Sequence, residues 1–499
     1  MKRLRTCIAI LSVIVLLLSF CSCKNGKEQS SSYYEAGTQN TLLTNKIEVP
    51  IEGYKFVTFL NRGVIEISDE AGTYFGAMNR DGRVLIEPTR YSSLTMEGDF
   101  ILAEGNIEEG LYTVLNLNGE IVYNTFKPIT ISDVGEGCVR VEEDGTSYIY
   151  NEKGEDLLGA TSLDSTYDYT ICKNYIAARS KTRKNAFVFA RSTGDTLLSL
   201  YGSSTISFDL AYLGNKDFLV IREEIVDTES DCTYSLKESG ATKYVRQTMQ
   251  IHGLDGSAPR TVTTEAPIYF LKDRYSFGTT QQDRENFLLK EGYFCLATYR
   301  LDGKAANGSV DYCVVDASLR PLARMPENAN PLVRPVKGIS AVTGTSGALY
   351  LVDDSMKVLA TFDDAVYQSA SFSGSVVTAT RIGEGSKRGC LDKEGNVVIP
   401  FEYSYISEFF GNYAIASKGG ITYVVCTDGS SREIGEENFP YYWIGYYETV
   451  SGDKIGLASL DGGTLVPAVY DTLEGVGRYG GEVFVALKKD GKVTVFRLF

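Results

Sequence analysis

The chain repeats one pattern three times. Residues 75–94 read FGAMNRDGRVLIEPTRYSSL, residues 388–406 read RGCLDKEGNVVIPFEYSYI, and residues 455–473 read IGLASLDGGTLVPAVYDTL. In each copy a glycine (Gly76, Gly389, Gly456) is followed six positions later by a second (Gly82, Gly395, Gly462). A proline comes next (Pro88, Pro400, Pro467), then a tyrosine three residues on (Tyr91, Tyr403, Tyr470). Repetition at this grain means a chain of small supersecondary units, none of which can bury its own apolar face alone.

Each copy is an apolar run, a turn and a second apolar run. The turns are Arg-Asp-Gly, Lys-Glu-Gly and Leu-Asp-Gly, and glycine after an acidic residue supplies the positive φ that a tight hairpin needs. The flanking runs are short and β-branched, as strands are. Proline after such a run is expected to end its pairing, because it has no N–H to donate. The same turn recurs at Gly119, Gly154, Gly194, Gly256, Gly303, Gly429 and Gly491, and DDSMK at 353–357 reads as a copy without its glycine. Turn-to-turn gaps run mostly from 29 to 47 residues, with one of 62. Blades of four strands use ~40–45 residues each. The expectation is therefore an all-β repeat domain: a β-propeller of about seven or eight blades, or an open β-solenoid. Terminal strands near residues 55–60 and 493–498 are expected to close the ring. Turns slightly outnumber those blades.

The three copies resemble the WG repeat, a bacterial β-repeat that runs Trp-Gly, a turn glycine, Val-Ile-Pro and Tyr-Asp-x-Ile. The third copy keeps even the Tyr470-Asp471 pair. The tryptophan is missing: Phe75, Arg388 and Ile455 hold its place, and the one tryptophan, Trp443, lies outside the motif. The resemblance implies a structural repeat and no shared catalytic residues.

Residues 1–22 read as an export signal. Lys2, Arg3 and Arg5 precede an apolar stretch at 7–20, shorter than the ~20 residues of a membrane span. Ser22-Cys23 resembles a lipobox, which implies lipidation of Cys23. Residues 23–45 are polar and Ser-rich and read as a flexible tether, leaving 46–499 as the repeat domain. The implied address is the cell envelope: the outer membrane if the host is Gram-negative, otherwise the outer face of the cell membrane.

Chemistry is sparse. A net charge of −15 argues against nucleic acid and against anionic membrane surfaces, so membrane contact is assigned to the lipid anchor only. Beyond the signal the cysteines are Cys138, Cys172, Cys232, Cys295, Cys313, Cys390 and Cys426; none forms a CxxC pair, and Cys390 reads as a small buried apolar residue. The one histidine, His252, cannot build a multi-His metal site. No serine-nucleophile, phosphate-loop or calcium-loop motif appears, and turn geometry accounts for Asp at the hairpin tips. Carboxylate pairs such as Glu223-Glu224 have no distinguishing context, and neighbours on a strand face opposite ways. No cofactor, metal or catalytic residue is assigned.

Two segments stand out. The run at 439–447 holds Tyr441, Tyr442 and Trp443, which are the candidate ligand contacts, against the alternative of a core strand. Residues 227–291 interrupt the turn spacing and are rich in charge, reading as a long hairpin turning at Ser239-Gly240 or as an insertion. The functional expectation is a lipid-anchored envelope scaffold for another envelope protein. The alternative is a glycan-binding or carbohydrate-active lipoprotein.

Overall fold

A computed structural model describes residues 40–499, apart from 106–109, 159–165, 173, 215, 239, 269–287, 291–292, 317, 325–338, 344–348, 354–356, 363–366, 374, 384 and 437–443. Cys23 and the residues before it therefore lie outside the described chain. The described residues contain strands, turns and two short 3-10 segments, Asn61–Gly63 and Glu229–Asp231.

The strands form nine antiparallel-dominated sheets, and two of these each hold two repeat units, so the described residues make eleven blades. Blades 1 and 2 share the long strand Val84–Glu97, which is outermost in the first and innermost in the second. Blade 8 is the plainest example: Tyr367–Ser373, Val376–Arg381, Arg388–Leu391 and Val397–Tyr403, from inner to outer. Blade 11 consists of Thr472–Tyr479, Glu482–Lys489 and Lys492–Leu498, and its outer strand is Lys46–Pro50 from the other end of the chain.

That pairing closes the ring. Val49, Ile65, Ile67, Phe484 and Val495 form one core between blades 11 and 1. Equivalent cores lie between blades 1 and 2, 2 and 3, 3 and 4, 4 and 5, and 5 and 6. They continue between blades 7 and 8, 8 and 9, 9 and 10, and 10 and 11. Each fully buried Leu, Ile, Val or Phe in such a layer contributes about 1.5–3 kcal/mol. The all-β propeller is thus a run of sheet-on-sheet layers with its last sheet packed on its first.

Eleven blades exceed the seven or eight expected, and the turns explain why. The turns at Gly82, Gly119, Gly154, Gly194, Gly256, Gly395, Gly429 and Gly462 each join a third strand to an outer strand. Residues 353–357 do the same in blade 7. Gly303 and Gly491 instead join second strands to third. Blade 6 makes its own third-to-outer turn at residues 316–320, where Leu319 takes the glycine conformation at φ 60°. Each third-to-outer turn therefore marks one blade. The closing strand is Lys46–Pro50, not the predicted 55–60 segment, which is the inner strand of blade 1.

The repeat glycines, prolines and tyrosines have separate duties. Pro88, Pro400 and Pro467 do not end their strands. In all three copies the outer strand bulges at the proline and resumes pairing at the tyrosine: Ala77 faces Ile86 and Phe75 faces Tyr91, with the intervening residues looped out. Blades 8 and 10 repeat this register. A bulge removes the need for the proline's missing N–H. The bulged backbone then lies directly on the first glycine. A Cβ at Gly76 would sit 2.3 Å from the Ile86 carbonyl oxygen and 2.8 Å from the Pro88 nitrogen. Gly389 and Gly456 meet Ile399 and Val466 carbonyls in the same way. The tyrosine reaches the next blade: Tyr91 donates to Thr113 Oγ1 at 3.2 Å, while Tyr403 and Tyr470 meet Tyr423 and Phe496 edge-on. The second glycine turns the chain at positive φ and abuts the preceding blade: Gly82 lies against Val49 and Gly395 against Phe362, as the other turn glycines Gly119 and Gly429 lie against Leu85 and Val398.

Residues 40–45, read from sequence as the end of the tether, are held. Leu43 is fully buried between blades 10 and 11. The Gly411 N–H donates to the Asn40 carbonyl at 2.6 Å, Asn40 Nδ2 donates to Glu408 at 3.0 Å, and Arg478 donates to Asn40 Oδ1 at 2.5 Å. The Thr44 and Asn45 N–H groups both donate to the Phe499 carbonyl.

Candidate interaction surface

Among the described residues eight blades have four strands and blades 3, 7 and 10 have three. Four is an even number, so each four-stranded blade begins at the same end of the ring. All inner-to-second and third-to-outer turns gather at one end, the turn end. All second-to-third hairpins and blade-to-blade links gather at the other, the link end.

Five of the ten described third-to-outer turns share one device. Asn79, Asn116, Asn151, Asp316 and Asp392 each use side-chain Oδ1 to accept the N–H groups two and four residues on. The Asn396 side chain, donating to Asp392 Oδ2 at 2.8 Å, and then these backbone bonds hold the Asp392 carboxyl below its usual range. Asp at the tips is thus accounted for by the turns themselves.

The link end is irregular, and its largest elaboration among the described residues is the insertion in blade 5. After the second strand Asp217–Val226, the chain makes the extra strand Tyr234–Glu238 before the third strand Ala241–Gly253. The extra strand pairs with the third strand, with Glu238 opposite Ala241, and this is the predicted hairpin at Ser239-Gly240. On its other side Ser235 donates its N–H to the Lys304 carbonyl of blade 6 at 2.8 Å, so two blades become one sheet. Lys304 Nζ donates to the Glu229 and Cys232 carbonyls at 2.7 and 2.9 Å, and Tyr234 stacks on Tyr299 at 4.6 Å.

A buried charge network anchors this platform. Asp209, 1% exposed, sits between the guanidinium groups of Arg179 and Arg183. Arg183 also meets Glu223 at 3.0 Å. Glu223 accepts from Tyr234 Oη at 2.6 Å and Gln247 Nε2 at 3.1 Å; burial first, and the Glu223 charge second, raise the Tyr234 pKa. Gln247 completes the chain with a paired contact to Ile268, accepting its N–H at 2.7 Å and donating to its carbonyl at 2.9 Å. Arg140, over the Tyr169 ring, and Asp168, 3.9 Å from Arg179, extend it toward blade 3. Glu224, next in sequence to Glu223, faces the other way and pairs with Arg222. Every carboxylate of the network is engaged by a cation or donor. It works as a clamp joining blades 4 and 5 to the insertion.

Removing one member of a buried ion pair leaves an uncompensated charge. Asp209→Asn should cost about 3–5 kcal/mol, read as an earlier urea midpoint. The exposed Asp144, paired with Lys127 at 2.7 Å, supplies the contrast: Asp144→Asn should change stability by less than ~1 kcal/mol.

A second prediction concerns Glu66 on the second strand of blade 1. It is 9% exposed, and burial raises its pKa. A carboxyl raised in the folded state favours folding in its protonated form. That contribution is complete below the unfolded pKa and is lost as pH rises through the folded one. At neutral pH the ionised group therefore opposes folding. Glu66→Gln should raise the melting temperature at pH 7, by the equivalent of about 1–2 kcal/mol. The gain should shrink as pH falls through the raised folded value and be gone below ~4.3, the ordinary Glu value. Melts across that range check it.

Tyr441, Tyr442 and Trp443 lie outside the described residues. The residues just after them serve packing: Ile444 and Tyr446 are buried between blades 10 and 11, Gly445 lies against the Phe410 ring, and Tyr447 takes the Arg432 guanidinium at 5.5 Å. His252 is on the third strand of blade 5, 3.3 Å from Gln250 Oε1, with its pKa lowered by burial. Cys390 is fully buried, its thiol pushed up to about 12 by burial. Cys138, Cys232, Cys313 and Cys426 are also free thiols.

Comparison with known proteins bears on the third strand and bulge of blade 8. Residues 389–420 match the WG containing repeat. The WG match begins at Gly389, just after Arg388, the residue in the tryptophan's place. Arg388 lies over the Tyr405 ring of blade 9 at 5.5 Å, so the position still packs across a blade boundary. No curated protein matches the chain. Among solved structures, a eukaryotic initiation factor is 11% identical, covering 81% of this chain and 91% of that one at a TM-score of 0.34. BamB from Moraxella catarrhalis is 9% identical over 82% and 98%, at 0.25. The WD40 domain of Toxoplasma gondii coronin is 10% identical over 59% and 80%, at 0.24. The blade architecture rests on the strand pairing of this chain, not on these superpositions.

Proposed function

We propose that this protein is a lipid-anchored scaffold of the cell envelope that presents its β-repeat surface to another envelope protein. The observation that supports this reading most is the division of labour between the two ends of the ring. Repeated hairpin turns line one end, while the insertion and its buried clamp build a platform at the other. A platform positioned by inter-blade ion pairs suits recognition of a partner. The reading assigns no catalytic role, no cofactor and no metal. Cys23 carries the lipid.

The test is co-purification from detergent-solubilised envelopes, with full-length protein and a Cys23→Ala variant. The expected result is one reproducible protein partner, lost from the variant. The partner should also be lost on Lys237→Glu with Thr242→Arg, at the exposed insertion, and kept on Lys153→Glu with Glu394→Lys, at exposed turns. Retention of polysaccharide with no protein partner would sink the scaffold reading.

One observation favours glycan as the second reading. Tyr123, Tyr148 and Tyr150 stack with ring centroids 5.2–6.1 Å apart at the boundary of blades 2 and 3, and Phe126, just beyond, is 77% exposed. The exposed Phe126 ring offers an apolar face to a sugar ring or a protein side chain.

A further inference from the structure

We infer that in the anchored chain the turn end of the ring faces the membrane and the link end, with its insertion, faces away from it. The inference rests on the anchored reading above and adds an orientation to it. Its basis is the point at which the N-terminal segment leaves the ring.

Asn40 is fixed on three sides. Glu408 and Gly411 belong to the inner-to-second turn of blade 9, and Arg478 ends the inner strand of blade 11 beside the equivalent turn. All three are at the turn end, on the inner rim. From Asn40 the chain crosses to Phe499 and enters the outer strand Lys46–Pro50 from that same end. Burial of Leu43 beneath this crossing keeps the exit from swinging to the opposite end.

Residues 24–39 separate Cys23 from this exit. The tether read from the sequence, sixteen residues of polar chain, would span about 20–25 Å root-mean-square. Reaching a membrane at the link end would take it across the blade, four strands at ~4.8 Å spacing, and along a strand of six residues at ~3.3 Å each, or through the ring. Facing the turn end needs no such detour. The surface left open to a partner in the surrounding space is then the link end, where the exposed Lys237 and Glu238 of the insertion stand.

The experiment uses full-length protein purified from membranes and reconstituted into phosphatidylcholine vesicles containing a rhodamine lipid. A donor fluorophore is introduced as an unnatural amino acid either at Lys153, in the blade 3 turn, or at Lys237, in the insertion. Transfer to the rhodamine lipid should be at least twofold stronger from position 153. Protein that floats with the vesicles but gives equal or reversed transfer overturns the orientation alone. Protein that fails to float with the vesicles overturns the orientation and the anchored reading together.

Discussion

A Gly76→Ala chain should unfold at markedly lower urea than the native one, by the equivalent of about 2–4 kcal/mol. The new methyl would stand 2.3 Å from a carbonyl oxygen and 2.8 Å from a proline nitrogen, both backbone atoms of the bulge in the neighbouring strand. Neither can rotate away, so the strand pair must separate or the bulge must unmake itself. Gly456→Ala should behave alike, with the Ala468 nitrogen and the Val466 carbonyl oxygen both at 2.5 Å. The contrasting site is Gly72, at φ 72° with no neighbour within 4 Å, where only backbone strain opposes a side chain. Gly72→Ala should cost about 1–2 kcal/mol, and Gly72→Asn less, since Asn tolerates the left-handed region. If Gly76→Ala costs no more than Gly72→Ala, close approach to the bulge is not why the repeat keeps its first glycine.

That contrast bears on what can be read from the sequence. The periodic Gly, Gly, Pro and Tyr identify strands, turns and an all-β ring, because each acts locally and recurs. The proline reads as a terminator because its missing N–H is visible in sequence, whereas a bulge that excuses it is a property of two strands. Turn glycines count blades, but Gly303 and Gly491 mark a different connection, and Leu319 shows that a turn can exist without its glycine. The clamp is out of reach. Arg179 and Asp209 are thirty residues apart and meet only because adjacent blades bring them together. Glu223 and Glu224 look interchangeable in sequence, yet one is locked to Arg183 and Tyr234 while the other lies with Arg222. Strand alternation foretells that they diverge; which of them faces the network depends on packing. The hold on residues 40–45 is hidden because their polar composition matches that of a tether, and the contacts that fix them come from blades 9 and 11.

Removing residues 1–50 should do more damage than any single substitution. Blade 11 would lose its outer strand, five residues paired from Lys46 opposite Leu498 to Pro50 opposite Thr494. Leu43 and Val49, 0% and 3% exposed, would leave two different inter-blade cores. Their burial alone is worth about 1.5–3 kcal/mol each, and the ladder of Lys492–Leu498 would be left as an open edge. A ring whose last blade is incomplete loses its packing on the first, so the expected result is broad, low-temperature unfolding and aggregation. The decisive comparison is a rearranged chain. The Phe499 N–H donates to the Asn45 carbonyl at 3.1 Å, so the third strand of blade 11 already ends where its outer strand begins. Moving residues 46–50 to follow Phe499 through a turn copied from residues 459–463 converts blade 11 into an ordinary blade. The rearranged chain, starting at Ile51, should recover most of the melting temperature and a sharp transition. It lacks the Leu43 layer, so a deficit of about 1.5–3 kcal/mol should remain. Recovery would assign the stability of the ring to closure by an outer strand, whichever end of the chain supplies it. Failure would assign it to the crossing at residues 40–45, whose contacts with Glu408, Gly411 and Arg478 the rearranged chain does not restore.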